Sequence, residues 1–183
     1  MNVKEIGAYL KIKGEMDERT RSLIEEVYPA AKNTVPFVRT AEFSTEKTNE
    51  GIKLVGTGTV LVGNLAASHF AGCKSIVVIL VTMGMESERK IKSTYAVSPT
   101  KGVILDACYS EVIERKLDEE EGKLVASGKN ITSRISCGYG DLPIETQREL
   151  LDMLNATQIG VFMNESCMLV PNKSVVALVG VKI

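Results

Sequence analysis

Apolar residues in the first 32 positions recur at helical spacing, with Ile6 and Leu10 followed by Leu23, Ile24 and Val27, so the chain is expected to open with helix. From Thr34 to Thr45 the pattern changes. TVPFVRTAEFST alternates β-branched and aromatic residues with polar ones, the period of a strand. NEGIKLVGTGTVLVGN reads as strand, glycine turn and strand, leading into a short helix over Leu65 to Phe70. In CKSIVVILVTMG the run Ile76 to Val81 is apolar without alternation, which predicts a strand buried on both faces and stopped at Gly84. A helix is expected from near Met85, broken around Ser98-Pro99 and resumed to about Leu124. Its stripe of Leu105, Cys108, Tyr109, Val112, Ile113 and Leu117 follows i, i+3, i+4 spacing, and the run Asp118 to Glu121 is read as its solvated end. Ile131 to Ser136 is expected to be a strand. A short helix follows, with Pro143 in its first turn, Leu150, Leu151 and Leu154 facing inward and Asn155 at its end. Two strand-like segments, GVFMNESCMLV and KSVVALVGVKI, close the chain on either side of Pro171-Asn172.

These elements do not alternate as regular βαβ units, and the last two are joined too tightly for a parallel crossover. The expected architecture is α+β: a single domain over residues 1–183, with a twisted, largely antiparallel β-sheet and flanking helices. A net charge of -1, with acidic and basic residues mixed along the chain, gives no basic face for nucleic acid. No apolar run approaches the roughly 20 residues that span a bilayer, and charge interrupts the N-terminus every few residues, so no membrane partner and a cytoplasmic protein are expected.

Candidate chemistry is sparse. Cys73, Cys108, Cys137 and Cys167 are scattered, without a C-x-x-C pair, which speaks against a zinc site or a disulfide framework. The sole histidine, His69, has no second ligand nearby and is read as structural. In GTGTVLVG the glycines at 56, 58 and 63 miss the dinucleotide spacing and are read as a β-turn, and MGMESERK lacks the G-K-[ST] ending of a phosphate loop. Glu111, Glu114 and Glu119 to Glu121 are ordinary for a surface helix.

The segment SRISCGYGDLPIE, Ser133 to Glu145, is different. Gly138 and Gly140 permit backbone angles that a side chain forbids, so the chain can reverse sharply with Tyr139 at the apex, either thrown outward or laid on a neighbouring surface. Bare backbone lets a planar ligand approach. Arg134 and exposed N–H groups there could hold a carboxylate through charge-assisted hydrogen bonds.

Arg134, Gly138, Tyr139 and Pro143 also resemble the R-x-x-P-G-Y-x-x-x-P signature of the activation (reactivation) domain of cobalamin-dependent methionine synthase. A second block, IGVFMNESCMLVPNKSV, is similar to the family's next conserved segment, with Gly160, Glu165, Ser166, Pro171, Ser174 and Val175 in place. The resemblance is good from about residue 74 to 183 and weak over 1–73. The family's proline before Gly-Tyr is Cys137 here, and its aromatic before Pro171 is Val170. No N-terminal acidic contact can be aligned; Asp17 and Glu42 are the guesses.

The resemblance implies a stand-alone activation subunit of a corrinoid-dependent methyltransferase, either a split methionine synthase or a related system. It implies S-adenosylmethionine and cobalamin as cofactors, the cobalamin carried by a partner corrinoid-binding methyltransferase protein. Reductive methylation of cob(II)alamin would use a flavodoxin- or ferredoxin-type electron donor. By position, Arg134, Ser136, Gly138 and Tyr139 would contact S-adenosylmethionine, while Cys137, Tyr139, Gly140, Glu165 and Ser166 would face the corrinoid. No residue is assigned a catalytic or metal-ligating role. The alternative is a non-catalytic module that binds a corrinoid protein without using S-adenosylmethionine.

Overall fold

The computed structural model describes residues 1–182 and divides the chain between long helices on one face of an antiparallel sheet and short, irregular elements on the other. The helical opening is two helices, α1 (Val3–Tyr9) and α2 (Glu18–Lys32), because Lys11 and Gly14 adopt left-handed backbone between them. Asn2 and Asp17 supply the N-caps. There follow β1 (Phe37–Lys47), β2 (Gly51–Leu54), β3 (Val60–Val62), α3 (Asn64–His69), β4 (Cys73–Thr82), α4 (Gly84–Val97) and α5 (Pro99–Ala126). The chain ends with α6 (Gln147–Met153), β5 (Phe162–Met163), β6 (Leu169–Val170) and β7 (Ser174–Lys182). The main sheet runs β3-β2-β1-β4-β7, every neighbouring pair antiparallel.

Strand β4 explains its own unbroken apolar run. Val77, Ile79 and Val81 face the helices, Ile76, Val78 and Leu80 face the other layer, and β7 matches them in register, Val77 beside Val179 and Val78 beside Leu178. On the helical face α1, α2 and α5 cover the sheet with Ile6, Ile24, Leu105, Cys108 and Val112. A fully buried carboxylate, Glu111 of α5, ties these helices together by accepting hydrogen bonds from Tyr28 Oη at 3.0 Å and from the Asn2 backbone N–H at 2.9 Å. The break at Ser98-Pro99 is present, and Ser98 caps α5.

The opposite face is filled by Phe70, Leu142, Leu150, Leu151, Leu154 and Leu169 from α3, α6, β6 and the loops. Here two expectations fail. Ile131 to Ser136 is not a regular strand but an extended segment that touches β7 at two bridges, Ile131 with Val181 and Ile135 with Leu178. GVFMNESCMLV is not one strand continuing beside β7; it folds back as the hairpin β5–β6, a separate two-stranded sheet. The Asn164 side-chain oxygen accepts from the Ser166 and Met168 N–H groups, and Cys167 takes a left-handed conformation, which together close the hairpin. No helix among the described residues is long and apolar enough to cross a membrane.

Candidate functional site

The extended segment along β7 brings Arg134 across the face of α5. Its Nη1 donates to Asp118 at 2.8 Å and to Glu121 at 2.7 Å, and its Nη2 donates to Glu114 at 2.8 Å. The three carboxylates sit at i, i+4 and i+7 on one helix, so a single stripe of α5 meets one guanidinium. Partial burial works against the arginine's charge, and the three acids outweigh it, holding the group charged above its ordinary range. Two members of the acidic run, Asp118 and Glu121, therefore join Glu114 in holding Arg134, while Glu119 and Glu120 pair with Arg115, Lys116 and Lys123 along α5 itself. Asp118 and Glu119 stay exposed as a solvated end would.

The following turn is held from both sides by α3. His69 Nε2 lies 2.8 Å from the Ser133 carbonyl; because a carbonyl only accepts, Nε2 carries the proton and donates. At the other end, Asp141 accepts from the backbone N–H groups of Asn64 at 2.7 Å and Leu65 at 2.9 Å, capping the first turn of α3. These donors pull the Asp141 carboxyl below its usual range. The approach requires glycine at 63: a Cβ there would lie 2.7 Å from the Asp141 carbonyl oxygen, and the backbone has φ +106°. The glycine that closes GTGTVLVG thus seats the Tyr139 turn.

Within the turn, Gly138 and Gly140 both adopt positive φ, 88° and 56°. The Gly138 N–H donates to Leu142 O at 2.9 Å and the Tyr139 N–H to Ser136 O at 3.2 Å. Those two amides are consumed by the turn itself, so they do not form the open anion cradle expected from sequence. Tyr139 is thrown outward, 61% exposed. Beside it opens a cleft of about 280 Å³, with Arg134, Ser136, Tyr139 and Glu114 on one part of its wall and Gln147, Leu169 and Ser174 to Val176 on the rest. Buried Gln147 links this wall to the hairpin by donating to the Cys167 carbonyl at 3.4 Å.

Two residues of α1 that sequence reasoning did not select, Glu5 and Tyr9, feel the charge of this acidic row without lining the cleft. Burial and the nearby Glu114, Glu111 and Asp118 push the Glu5 carboxyl up. Burial and Glu114 likewise raise the Tyr9 phenol. Nothing at the level of sequence pairs Glu5 with Glu114, because the Glu111 tie that docks α1 spans 109 positions. The two acidic guesses have other work. Asp17 caps α2 through Thr20, and Glu42 is held by Ser75 and Lys129.

The remaining candidates divide. Gly140 is exposed beside Tyr139. Cys137 departs from the expectation of a corrinoid-facing thiol. It is 8% exposed among the core residues under the sheet, and burial pushes its thiol up to about 12. It is a small core residue and not a thiolate near pH 7. Glu165 and Ser166 lie at the exposed tip of the β5–β6 hairpin and are not among the residues lining the cleft. Among the described residues, no three His, Cys, Asp or Glu side chains gather as metal ligands.

No protein-family model matches the chain, and no curated protein matches it in sequence. Among solved structures, a crystal structure of the MetH reactivation domain bound to AdoHcy is similar with a TM-score of 0.67, covering 94% of this chain and 71% of that one, at 15% identity. The common ground is the α+β arrangement of an antiparallel sheet with flanking helices, so the chain has the fold of the MetH reactivation domain.

Proposed function

We propose that the chain binds S-adenosylmethionine in the cleft beside Tyr139 and presents it to a corrinoid carried outside these 183 residues, in support of reductive methylation. The observation that carries the reading is the coincidence at one cleft, in this fold, of a fixed cation, a glycine turn clamped at both ends by α3, and an outward aromatic. The residues fit the ligand's parts. Arg134, by exchanging one of the three acids that now hold it, would present a planar fork to a ligand carboxylate, and Glu114 on the cleft wall offers negative charge to an ammonium group. Ser136 lines the groove, and the exposed ring of Tyr139, beside Gly140, gives a flat apolar surface to a macrocycle. At about 280 Å³ the cleft is at the small end of ligand pockets and holds one end of such a nucleoside, leaving the other open to a docking partner.

When bound, S-adenosylmethionine would supply an electrophilic methyl group, with the corrinoid as its acceptor and a flavodoxin- or ferredoxin-type protein as electron source. The chain's own contribution is positional: Arg134 and Glu114 fix the amino-acid end, and α3 keeps the turn from drifting.

The engagement of Arg134 by three carboxylates favours a second reading, a module that docks on a corrinoid protein without the nucleoside. Calorimetry separates the two. Heat with S-adenosylmethionine that is weakened roughly ten-fold in Arg134→Lys, which keeps the charge and loses the fork, supports the first reading. No heat at millimolar concentration, with corrinoid-protein binding intact, supports the second. Tyr139→Ala should leave stability within about 0.5 kcal/mol, because the ring is exposed, while slowing the change in the partner's visible spectrum when reductant and S-adenosylmethionine are added. If neither variant changes either measurement, the site lies elsewhere.

A further inference from the structure

We propose that the carboxylate row of α5 makes this cleft select S-adenosylmethionine, a sulfonium, over S-adenosylhomocysteine, its neutral thioether product. The inference rests on the nucleoside-binding reading above. Arg134 is an anion site already filled from within: Glu114, Asp118 and Glu121 hold its two terminal nitrogens at 2.7–2.8 Å. A ligand carboxylate must displace one of these acids, and the displaced acid stays close on the same helix. Three carboxylates thus face one guanidinium, an excess of negative charge at this wall of the cleft. Burial, and then Glu114, Glu111 and Asp118, push the Glu5 carboxyl of α1 up, in keeping with that excess.

A ligand that brings surplus positive charge offsets this imbalance, and one that does not meets it unrelieved. The two nucleosides differ in that respect by one charge. When the methyl group passes to the reduced corrinoid, whose cobalt would supply the electron pair of the new Co–C bond, the C–S bond would break with its own electron pair left on sulfur, and the sulfonium would become an uncharged thioether. The field that attracts the methyl donor therefore loses its hold on the spent product, and release follows from the chemistry itself.

The test is titration calorimetry of the full chain with S-adenosylmethionine and with S-adenosylhomocysteine, at low and high sodium chloride. Asp118→Asn and Glu121→Gln serve as variants; the Asp118 side chain is 65% exposed, so its neutralisation does not threaten the fold, and circular dichroism checks both. The wild-type chain should bind the sulfonium more tightly at low salt. Each variant should reduce that preference by roughly three-fold, chiefly by improving the thioether, and high salt should compress it further. A preference unchanged in both variants overturns the selectivity while leaving nucleoside binding in place. If neither nucleoside binds, the underlying reading falls and the inference with it.

Discussion

The two faces of the sheet are built on different plans. The helical face is made of long elements, α2 with 15 residues and α5 with 28, held to β4 and β7 by a continuous apolar stripe and tied at its far edge by buried Glu111. On the other face the helices are short, α3 with 6 residues and α6 with 7, and together with the β5–β6 hairpin they fill it piecemeal, with loops closed by side-chain hydrogen bonds. The candidate site lies where the two plans meet, on the segment that runs beside β7. Arg134 reaches to α5 on the helical side, and the turn immediately after it is clamped to α3 on the irregular side. Irregular structure therefore need not be loose: it supplies close backbone approach, and α3 supplies the rigidity that a regular element would otherwise provide.

If the irregular face were only a covering, truncating its centre would be tolerated. The expected result is the opposite. Leu150→Ala, at a fully buried position of α6 against the sheet, should destabilise the chain by about 2–5 kcal/mol in urea unfolding, as large core truncations do. A next smaller effect is expected on the helical face. Glu111→Ala leaves the Tyr28 hydroxyl and the Asn2 N–H without their acceptor. Stability should fall by about 1–3 kcal/mol, with faster amide hydrogen exchange concentrated in α1; uniform exchange across all helices would deny that Glu111 is the tie.

The smallest effect sharpens the contrast through pH. The Asp141 carboxyl is lowered by the backbone donors of Leu65 and Asn64. A depressed folded value means that its contribution is present above the ordinary aspartate range and is lost as pH falls through the folded value. The Asn64 and Leu65 amide resonances should accordingly titrate with a midpoint below about 3.9, and Asp141→Asn should abolish that titration. A midpoint at or above the ordinary value would mean that the turn is not clamped to α3.

Much of the helical face is legible in the sequence. The α5 stripe, the Ser98-Pro99 break and the double-faced β4 all follow from periodicity, because long elements repeat their environment many times. The irregular face is not so readable. GVFMNESCMLV has the apolar content of a strand, and nothing local says that Asn164 will gather two backbone donors and fold it into a hairpin. Cys137 stands where the resemblance would have it face a corrinoid, and core packing claimed it instead.

The sequence by itself determined the fold class, the two-sided burial of β4, and the turn in which glycines at 138 and 140 put Tyr139 at an apex. Tertiary structure decided what Arg134 touches, which carboxylate ties α1 to α5, and why residue 63 must be glycine. The reason is range. Periodicity and turn chemistry act over a few residues, whereas Glu114 to Arg134 spans 20 positions, Asn64 to Asp141 77 and Asn2 to Glu111 109, and only the packed sheet brings such groups within hydrogen-bonding distance.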